Sequence, residues 1–144
     1  MTLDEILEMW QVDAKMDRSE LGAEAARIPI MQHKYLRLFL HERLALKAAE
    51  KEYNVLKLET YEYYTQGPTK DSKRDPKTFP ARGVIMKNDA AMYLDADSDL
   101  AKAQLKVEYL KSKVEALEYI IKAVNNRSYL VRDAIDWHKW NGGG

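Results

Sequence analysis

The sequence predicts a mostly α-helical fold in which long helices flank a short irregular or hairpin segment at residues 67–97. Two observations support this prediction. From Leu100 to His138, apolar residues recur at alternating steps of three and four, as in a coiled coil or a helical bundle. Residues 67–83, in contrast, contain three of the four prolines and two of the six glycines, which interrupt helices. With 144 residues, the chain is expected to form a single domain, 1–144.

Residues 1–28 are predicted to form short, acidic N-terminal helices. Thr2 and Glu5 have the spacing of a capping box, so the first helix should begin there. Residues 17–20 have the same spacing and predict the start of a second helix. That helix should end near residue 28, because the proline that follows disfavours helical conformation at the residue before it.

Residues 29–66 are predicted to form one long helix, which Pro29 opens and Gly67 with Pro68 ends. Its apolar residues fit the alternating spacing at Ile28, Tyr35, Phe39, Leu46, Ala49, Tyr53, Leu56 and Tyr63. Polar residues interrupt this pattern at Gln32, Glu42 and Thr60.

The segment 67–97 is predicted to be an exposed basic loop, since five Lys or Arg residues precede Gly83. Residues 84–86 and 91–94 flank an Asn-Asp pair, so a small hairpin is possible there. The charge is zoned: residues 1–26 sum to −5 and residues 70–87 to +4. Such zones indicate either separate contact surfaces or simply solvated helix faces.

The last predicted element is a C-terminal oligomerisation helix over residues 98–140, with Ser98 as its N-cap. At 1.5 Å per residue it would be ~60 Å long, whereas a compact chain of this size has a diameter near ~37 Å. Either the helix folds into two pieces, or the protein is elongated and buries the helix seam against other subunits. We favour the second alternative. The residues predicted to hold a homo-oligomer together are Leu100, Val107, Leu110, Val114, Leu117, Ile121, Val124, Val131 and Ile135.

Composition argues against enzymatic chemistry. Lys+Arg and Asp+Glu are each 23, so a net charge of zero excludes wholesale electrostatic adhesion but leaves room for a basic patch. The chain has no cysteine, no phosphate-binding glycine loop and no apolar run of membrane-spanning length. The acidic run at residues 95–99 lacks the glycine and the glutamate of a calcium loop, and a helix N-terminus accounts for it. We therefore expect no catalytic residue, no metal site and no cofactor.

The remaining candidate is a surface for single-stranded nucleic acid, which combines cations with aromatic faces for base stacking. The tyrosines of this candidate surface lie at the end of the long helix: Tyr61, Tyr63 and Tyr64, with Tyr53 before them. Its cations are Lys57 and the loop residues Lys70, Lys73, Arg74 and Lys77, together with a stripe at Arg43, Lys47 and Lys51. In the alternative interpretation the tyrosines are mostly core, and the chain is a structural helical oligomer or assembly scaffold without DNA binding.

The stretch LKLETYEYYTQG, residues 56–67, resembles the basic-aromatic helix end of UvsY-type recombination mediators of T4-like phages. The resemblance extends to the head TLDEILEMWQVDAKMDRSELGAEAARIPI, to MYLDADSDL, and to the tail VEALEYIIKAVNNRSYLVRDAIDWHKW, and is greatest to the cyanophage branch.

This resemblance implies a small, helical, non-enzymatic protein that assembles through its C-terminal helix into a ring-like homo-oligomer, a hexamer or heptamer. It further implies binding to single-stranded DNA in the cytoplasm of the infected bacterial host. There the protein would help load a RecA-like phage recombinase in place of the phage single-strand-binding protein during homologous recombination and repair.

The chain departs from the family pattern at two positions. Relatives carry basic residues five and three positions before the tyrosine pair, where this chain has Leu58 and Thr60. Tyr63 and Tyr64 carry over from the family motif, whereas the two basic contacts do not. We expect Lys57 and the loop cations to take their place.

Overall fold

The computed structural model describes residues 1–69, 74 and 78–142, and within these residues the fold is all-α, as predicted. It contains no strand in the described part of the chain. The elements in chain order are α1 (Leu3–Asp13), α2 (Leu21–Gln66), a 3-10 turn (Lys87–Asp89), α3 (Ala90–Ala96) and α4 (Ser98–Gly142).

Helix α1 begins at the predicted capping box. The backbone N–H of Glu5 donates to Thr2 Oγ1, and the backbone N–H of Thr2 donates to a carboxylate oxygen of Glu5, each at 3.1 Å. The two bonds satisfy donors that a helix start leaves unpaired. The helix then buries Ile6 completely, while its neighbour Leu7 is exposed.

Helix α2 does not stop before Pro29, and the predicted helix boundary there is wrong. The helix begins at Leu21 and passes through Pro29 without a break. A proline inside a helix removes one hydrogen bond, but Ile28 and Met31 on either side of it are both buried. Packing of these side chains therefore outweighs the tendency of a proline to end a helix at the residue before it. The predicted second capping box does not form, because Asp17 instead accepts hydrogen bonds from the backbone and side chain of Ser19.

The chain is helical over residues 87–96 and residues 84–86 form no strand, so the hairpin considered for residues 84–94 is wrong. Ala90 and Asp97 are buried, and Tyr93 and Leu94 are half-buried. Their spacing of three and four is that of one helix face, and it outweighs the short alternation that indicated strands. Helix α4 also begins one residue away from the predicted cap, since Leu100 N donates to Asp97 Oδ1 at 2.9 Å.

The chain forms two compact units, and both long helices contribute residues to each of them. Unit 1 comprises Met1–Leu44 and Leu110–Gly144, and unit 2 comprises Ala45–Tyr109. The core of unit 1 draws on three helices: Ile6 from α1; Ile28, Met31 and Tyr35 from α2; and Leu117, Ile120, Val124 and Val131 from α4.

The heptad seam of α4 is therefore largely covered by the chain itself. Leu117, Val124 and Val131 are core residues of unit 1. Leu100, Leu110 and Val114 are buried too, whereas Val107, Ile121 and Ile135 are half-buried. The prediction of one continuous α4 is confirmed. That this seam also joins subunits stays a prediction. Most of its side chains already pack within one chain, so few remain for a contact between subunits.

Two of the three polar interruptions predicted in α2, Gln32 and Glu42, have polar partners in unit 1. Glu42 is buried and forms an ion pair with Lys113 across 2.8 Å. Lys113 Nζ also donates to the Met1 carbonyl at 3.1 Å, while the side chain of Gln32 donates to Asn125 Oδ1 at 3.1 Å. These contacts satisfy polar groups that the seam would otherwise leave unpaired.

A second buried ion pair, between Glu24 on α2 and Arg127 on α4, spans 3.3 Å near the end of α1. The Arg127 guanidinium donates to the carbonyls of Ala14 and Lys15 at 2.7 and 2.6 Å. Burial would raise the pKa of the Glu24 carboxyl, but hydrogen bonds from the Asp17 backbone and from arginine outweigh it and lower that pKa. Arg127 thus connects the residues that follow α1 with helices α2 and α4.

Candidate nucleic-acid interface

The predicted tyrosine pair lies at the end of α2, in unit 2, and both rings are buried. Tyr63 is 5% exposed and Tyr64 is 7% exposed. The two rings meet edge to face, with centroids 5.3 Å apart, and Tyr63 meets Phe79 in the same way at 5.4 Å. Ile85 completes this cluster. In this arrangement neither tyrosine presents a free face on which a base could stack.

The hydroxyl groups of the pair are also engaged. Tyr64 donates to Asp97 Oδ2 at 2.7 Å, and the Tyr63 and Thr78 hydroxyls lie 3.1 Å apart. Burial, followed by the hydrogen bond to Asp97, raises the pKa of Tyr64 to about 12. Tyr64 therefore stays neutral at neutral pH, and both hydroxyl groups have partners within the packed cluster.

Arg74, one of the predicted loop cations, covers this cluster. Its guanidinium donates to both carboxylate oxygens of Asp97 and, at 2.6 Å, to Thr60 Oγ1. It also lies 5.1 Å from the ring centroid of Tyr63, which is cation–π distance. Burial would raise the pKa of Asp97, but hydrogen bonds from Arg74 and Tyr64 outweigh it and lower that pKa. Arg74 is thus paired with a buried carboxylate.

The other predicted cations of α2 are exposed, namely Arg43, Lys47, Lys51 and Lys57. Their positions are four residues apart from Arg43 to Lys51, which places these three on one helix face. No carboxylate in the described part of the chain pairs with any of the four. The predicted loop residues Lys70, Lys73 and Lys77 lie outside the described residues.

Tyr61 differs from the buried pair because its side chain is only half-buried. Helix α2 therefore offers a half-buried aromatic side chain near its end and, earlier along its length, a row of exposed cations. Across residues 1–69, 74 and 78–142 there is no group of three metal-binding side chains, and no helix is long and apolar enough to cross a membrane. This arrangement is suited to binding a polyanion.

Comparison with known families identifies the family of the chain. Residues 9–144 match a family described as recombination, repair and ssDNA binding protein UvsY. The chain belongs to the UvsY family. No curated protein sequence matches it significantly.

Solved structures of the UvsY family share the fold. A crystal structure of the bacteriophage T4 recombination mediator protein UvsY, lattice type IV, superposes with a TM-score of 0.85 at 18% identity, covering 97% of this chain and 99% of that one. Lattice type II of the same protein gives a TM-score of 0.83 at 19% identity, covering 99% and 98%.

The two positions that depart from the UvsY motif have different environments. Leu58 is 59% exposed, while Thr60 is fully buried and accepts the guanidinium hydrogen bond of Arg74. A loop cation therefore reaches the Thr60 position, while Lys57 remains exposed. Sequence reasoning missed that Asp97 holds this cation. The contact between Arg74 and Asp97, 23 residues apart in the sequence, had no local signal.

We expect replacement of Asp97 by Asn to destabilise the protein by about 1.5–3 kcal/mol at pH 7, because it weakens hydrogen bonds to a charged group. A lowered pKa means that this stabilisation is present above the unfolded carboxyl pKa of about 3.9 and is lost as the pH falls below it. Urea unfolding at pH 7 and pH 3 should therefore show a smaller difference between parent and variant at pH 3.

The matched control is Asp95→Asn, since Asp95 is exposed on α3. It should leave the free energy of unfolding nearly unchanged at both pH values. An Asp97→Asn effect of equal size at pH 7 and pH 3 would show that the ionised carboxylate is not what stabilises the cluster.

Proposed function

We propose that the chain is a non-enzymatic recombination mediator that binds single-stranded DNA without sequence preference. The observation that carries this proposal is the family match over residues 9–144. The exposed row at Arg43, Lys47 and Lys51 supports it, because unpaired cations can neutralise backbone phosphates at little cost. Because Tyr63 and Tyr64 are buried, we expect cations, and not these rings, to make the first contact with DNA.

The proposal is tested by titrating a fluorescent oligothymidylate with the full-length protein at several salt concentrations. The logarithm of the affinity should fall linearly with the logarithm of the salt concentration, by about 0.7 per phosphate neutralised. Replacing Lys47 and Lys51 together by Ala should reduce the steepness of this line by about 1.4, since two phosphate contacts are lost.

The control replaces Lys111 and Lys122, which are exposed on α4, by Ala and should preserve the parental slope. If the Lys47/Lys51 variant keeps that slope as well, the stripe does not contact DNA. If the parent itself shows no salt-dependent binding, the alternative of a structural helical oligomer without DNA binding replaces the proposal.

We propose further that the mediator acts as a hexameric or heptameric homo-oligomer. Because the α4 seam packs largely within the chain, exposed apolar side chains near the end of the same helix are the better candidates for subunit contacts. They are Leu130, Trp137 and Trp140, the two tryptophans being 67% and 83% exposed. Such large exposed apolar groups mark interaction surfaces.

Replacing Trp137 and Trp140 by Ser should reduce the mass of the assembly in analytical ultracentrifugation while the helical circular dichroism stays unchanged. The matched control is Tyr119→Ser, an equally exposed aromatic residue earlier on α4. An unchanged assembly mass in the double variant would exclude this end of the helix as the contact.

The finer proposal is that the assembly loads a RecA-like phage recombinase in place of single-strand-binding protein, in the cytoplasm of the infected host. Its test is the DNA-dependent ATP hydrolysis of such a recombinase on DNA already coated with single-strand-binding protein. The chain should shorten the lag before hydrolysis begins. A lag that is unaffected at saturating concentrations of the chain contradicts a loading role.

A further inference from the structure

We propose that a groove at the end of α2 binds one unpaired nucleobase together with its phosphate. The groove has a volume of about 490 Å³ and is lined by Tyr61, Gln66, Ile85, Met86, Lys87 and Asn88. This volume lies within the range of small-molecule sites. The inference rests on the proposed binding of single-stranded DNA and adds the site at which a base is held.

The floor of the groove is fixed by backbone contacts within unit 2. Ile85 N donates to the Tyr64 carbonyl at 2.8 Å, which ties the segment after the loop to the last turn of α2. Ile85 itself is 2% exposed and packs on the tyrosine cluster. Gly67, at φ 92°, ends α2 in a left-handed conformation that favours glycine.

One side of the groove is suited to the face of a base. Tyr61 is half-buried and, unlike Tyr63 and Tyr64, makes no ring contact with another aromatic residue among those described. Met86 is 73% exposed. Stacking on an aromatic side chain is open to every base, because each base has a π-face, and the methionine thioether is a polarizable neighbour for such a ring.

The other lining residues are suited to the edge of the base and to its phosphate. The side-chain amides of Gln66 and Asn88 are exposed, and each supplies donors and an acceptor, as base edges require. Lys87 is exposed and pairs with no carboxylate in the described ranges. The nearby Arg82, in contrast, pairs with Asp89 at 3.3 Å. Lys87 is therefore the cation of this groove that is available to a phosphate.

An unpaired base fits these features better than a duplex does. In a duplex both faces of each base are stacked on its neighbours, and the pairing edge is occupied, so neither the tyrosine nor the amides could engage them. A free nucleotide carries the same base and phosphate as a single strand. The two sources differ in that only a strand gains from the further cations along α2.

The first test compares full-length Tyr61→Leu and Tyr61→Phe in oligothymidylate binding. Loss of stacking is worth about 5- to 150-fold in affinity, so the Leu variant should weaken binding by that factor while the Phe variant binds like the parent. Tyr119→Leu is the matched control, because Tyr119 is 70% exposed on α4. Circular dichroism and urea unfolding establish that each variant is folded.

The second test uses Lys87→Ala, an exposed position at which loss of folding is not expected. The salt dependence of binding should become shallower by about 0.7, for one phosphate contact, and Lys87→Arg should restore it. Lys102→Ala, at another exposed lysine of unit 2, should keep the parental slope. An oligothymidylate carrying one photoreactive 5-iodouracil should also crosslink to Tyr61 or Met86.

The outcomes separate the groove from the proposed function. If the parent binds single strands but Tyr61→Leu and Lys87→Ala bind equally well, and crosslinks form elsewhere, the groove assignment fails and the function stands. If the parent binds no single strand, both fail. Equal affinity for thymidine monophosphate and for the oligonucleotide would identify a free-nucleotide site and overturn the assignment to DNA, and equal affinity for duplex would overturn the unpaired base.

Discussion

We expect Leu117→Asp to unfold unit 1 instead of only separating subunits. Leu117 is fully buried among residues of α1, α2 and α4. Truncating such a leucine costs about 2–5 kcal/mol, and burying an unpaired carboxylate adds several more. The sum is comparable to the whole stability of a typical domain, about 5–15 kcal/mol. Far-ultraviolet circular dichroism at 25 °C should report the loss of helix directly.

The control for this variant is Leu105→Asp, on the same helix but with its side chain 69% exposed. It should keep the helical signal and the parental urea midpoint. The contrary result for Leu117→Asp is a fully helical protein of parental stability whose mass falls to that of one chain. The seam would then hold subunits together, as the heptad pattern alone suggested.

We expect Arg127→Ala to cost about 3–5 kcal/mol, the usual penalty for removing one partner of a buried ion pair. The change takes a partner from the buried Glu24 carboxylate and leaves the carbonyls of Ala14 and Lys15 without their donor. Arg127→Lys should recover only part of this loss, because one ammonium group cannot reproduce the fork of a guanidinium. Equilibrium urea unfolding measures all of these values.

Arg132→Ala is the matched control on α4, since Arg132 is exposed and contacts only the ring of Tyr129, at 5.0 Å, among the described aromatics. Its effect should stay below about 1 kcal/mol. A loss for Arg127→Ala no larger than for Arg132→Ala would mean that the buried pair contributes nothing net, as its desolvation cost permits.

Features that depend on neighbouring residues were predictable. The capping box at Thr2 and Glu5 needs only residues three apart, and the stop at Gly67 needs only one residue that tolerates positive φ. The boundary expected at Pro29 failed because the packing of Ile28 and Met31 against other helices decides it. A local pattern can state that a helix face is apolar, but not which other segment covers that face.

The candidate site was predictable in composition and less so in geometry. The sequence indicated tyrosines beside cations, yet the same helical spacing is compatible with exposed or buried rings. Tyr64 packs with Ile85 and Tyr93, and its hydroxyl donates to Asp97; all three are more than twenty residues away in the sequence. Lys87 and Asn88 were not predicted as site residues, because the Asn-Asp pair that contains Asn88 was expected to form the turn of a hairpin.

The two buried ion pairs of unit 1 have a consequence for how α2 and α4 align. A coiled-coil seam repeats every seven residues, so an alignment shifted by one heptad buries nearly the same apolar surface. Shifted one way, however, Glu24 would lie opposite Ile120 in place of Arg127. Shifted the other way, Glu42 would lie opposite that same Ile120 in place of Lys113. Either slip leaves a carboxylate buried against a hydrocarbon side chain, at a cost of several kcal/mol. Each ion pair therefore disfavours a shift of α4 along α2 in one direction, and together the two pairs select one antiparallel alignment.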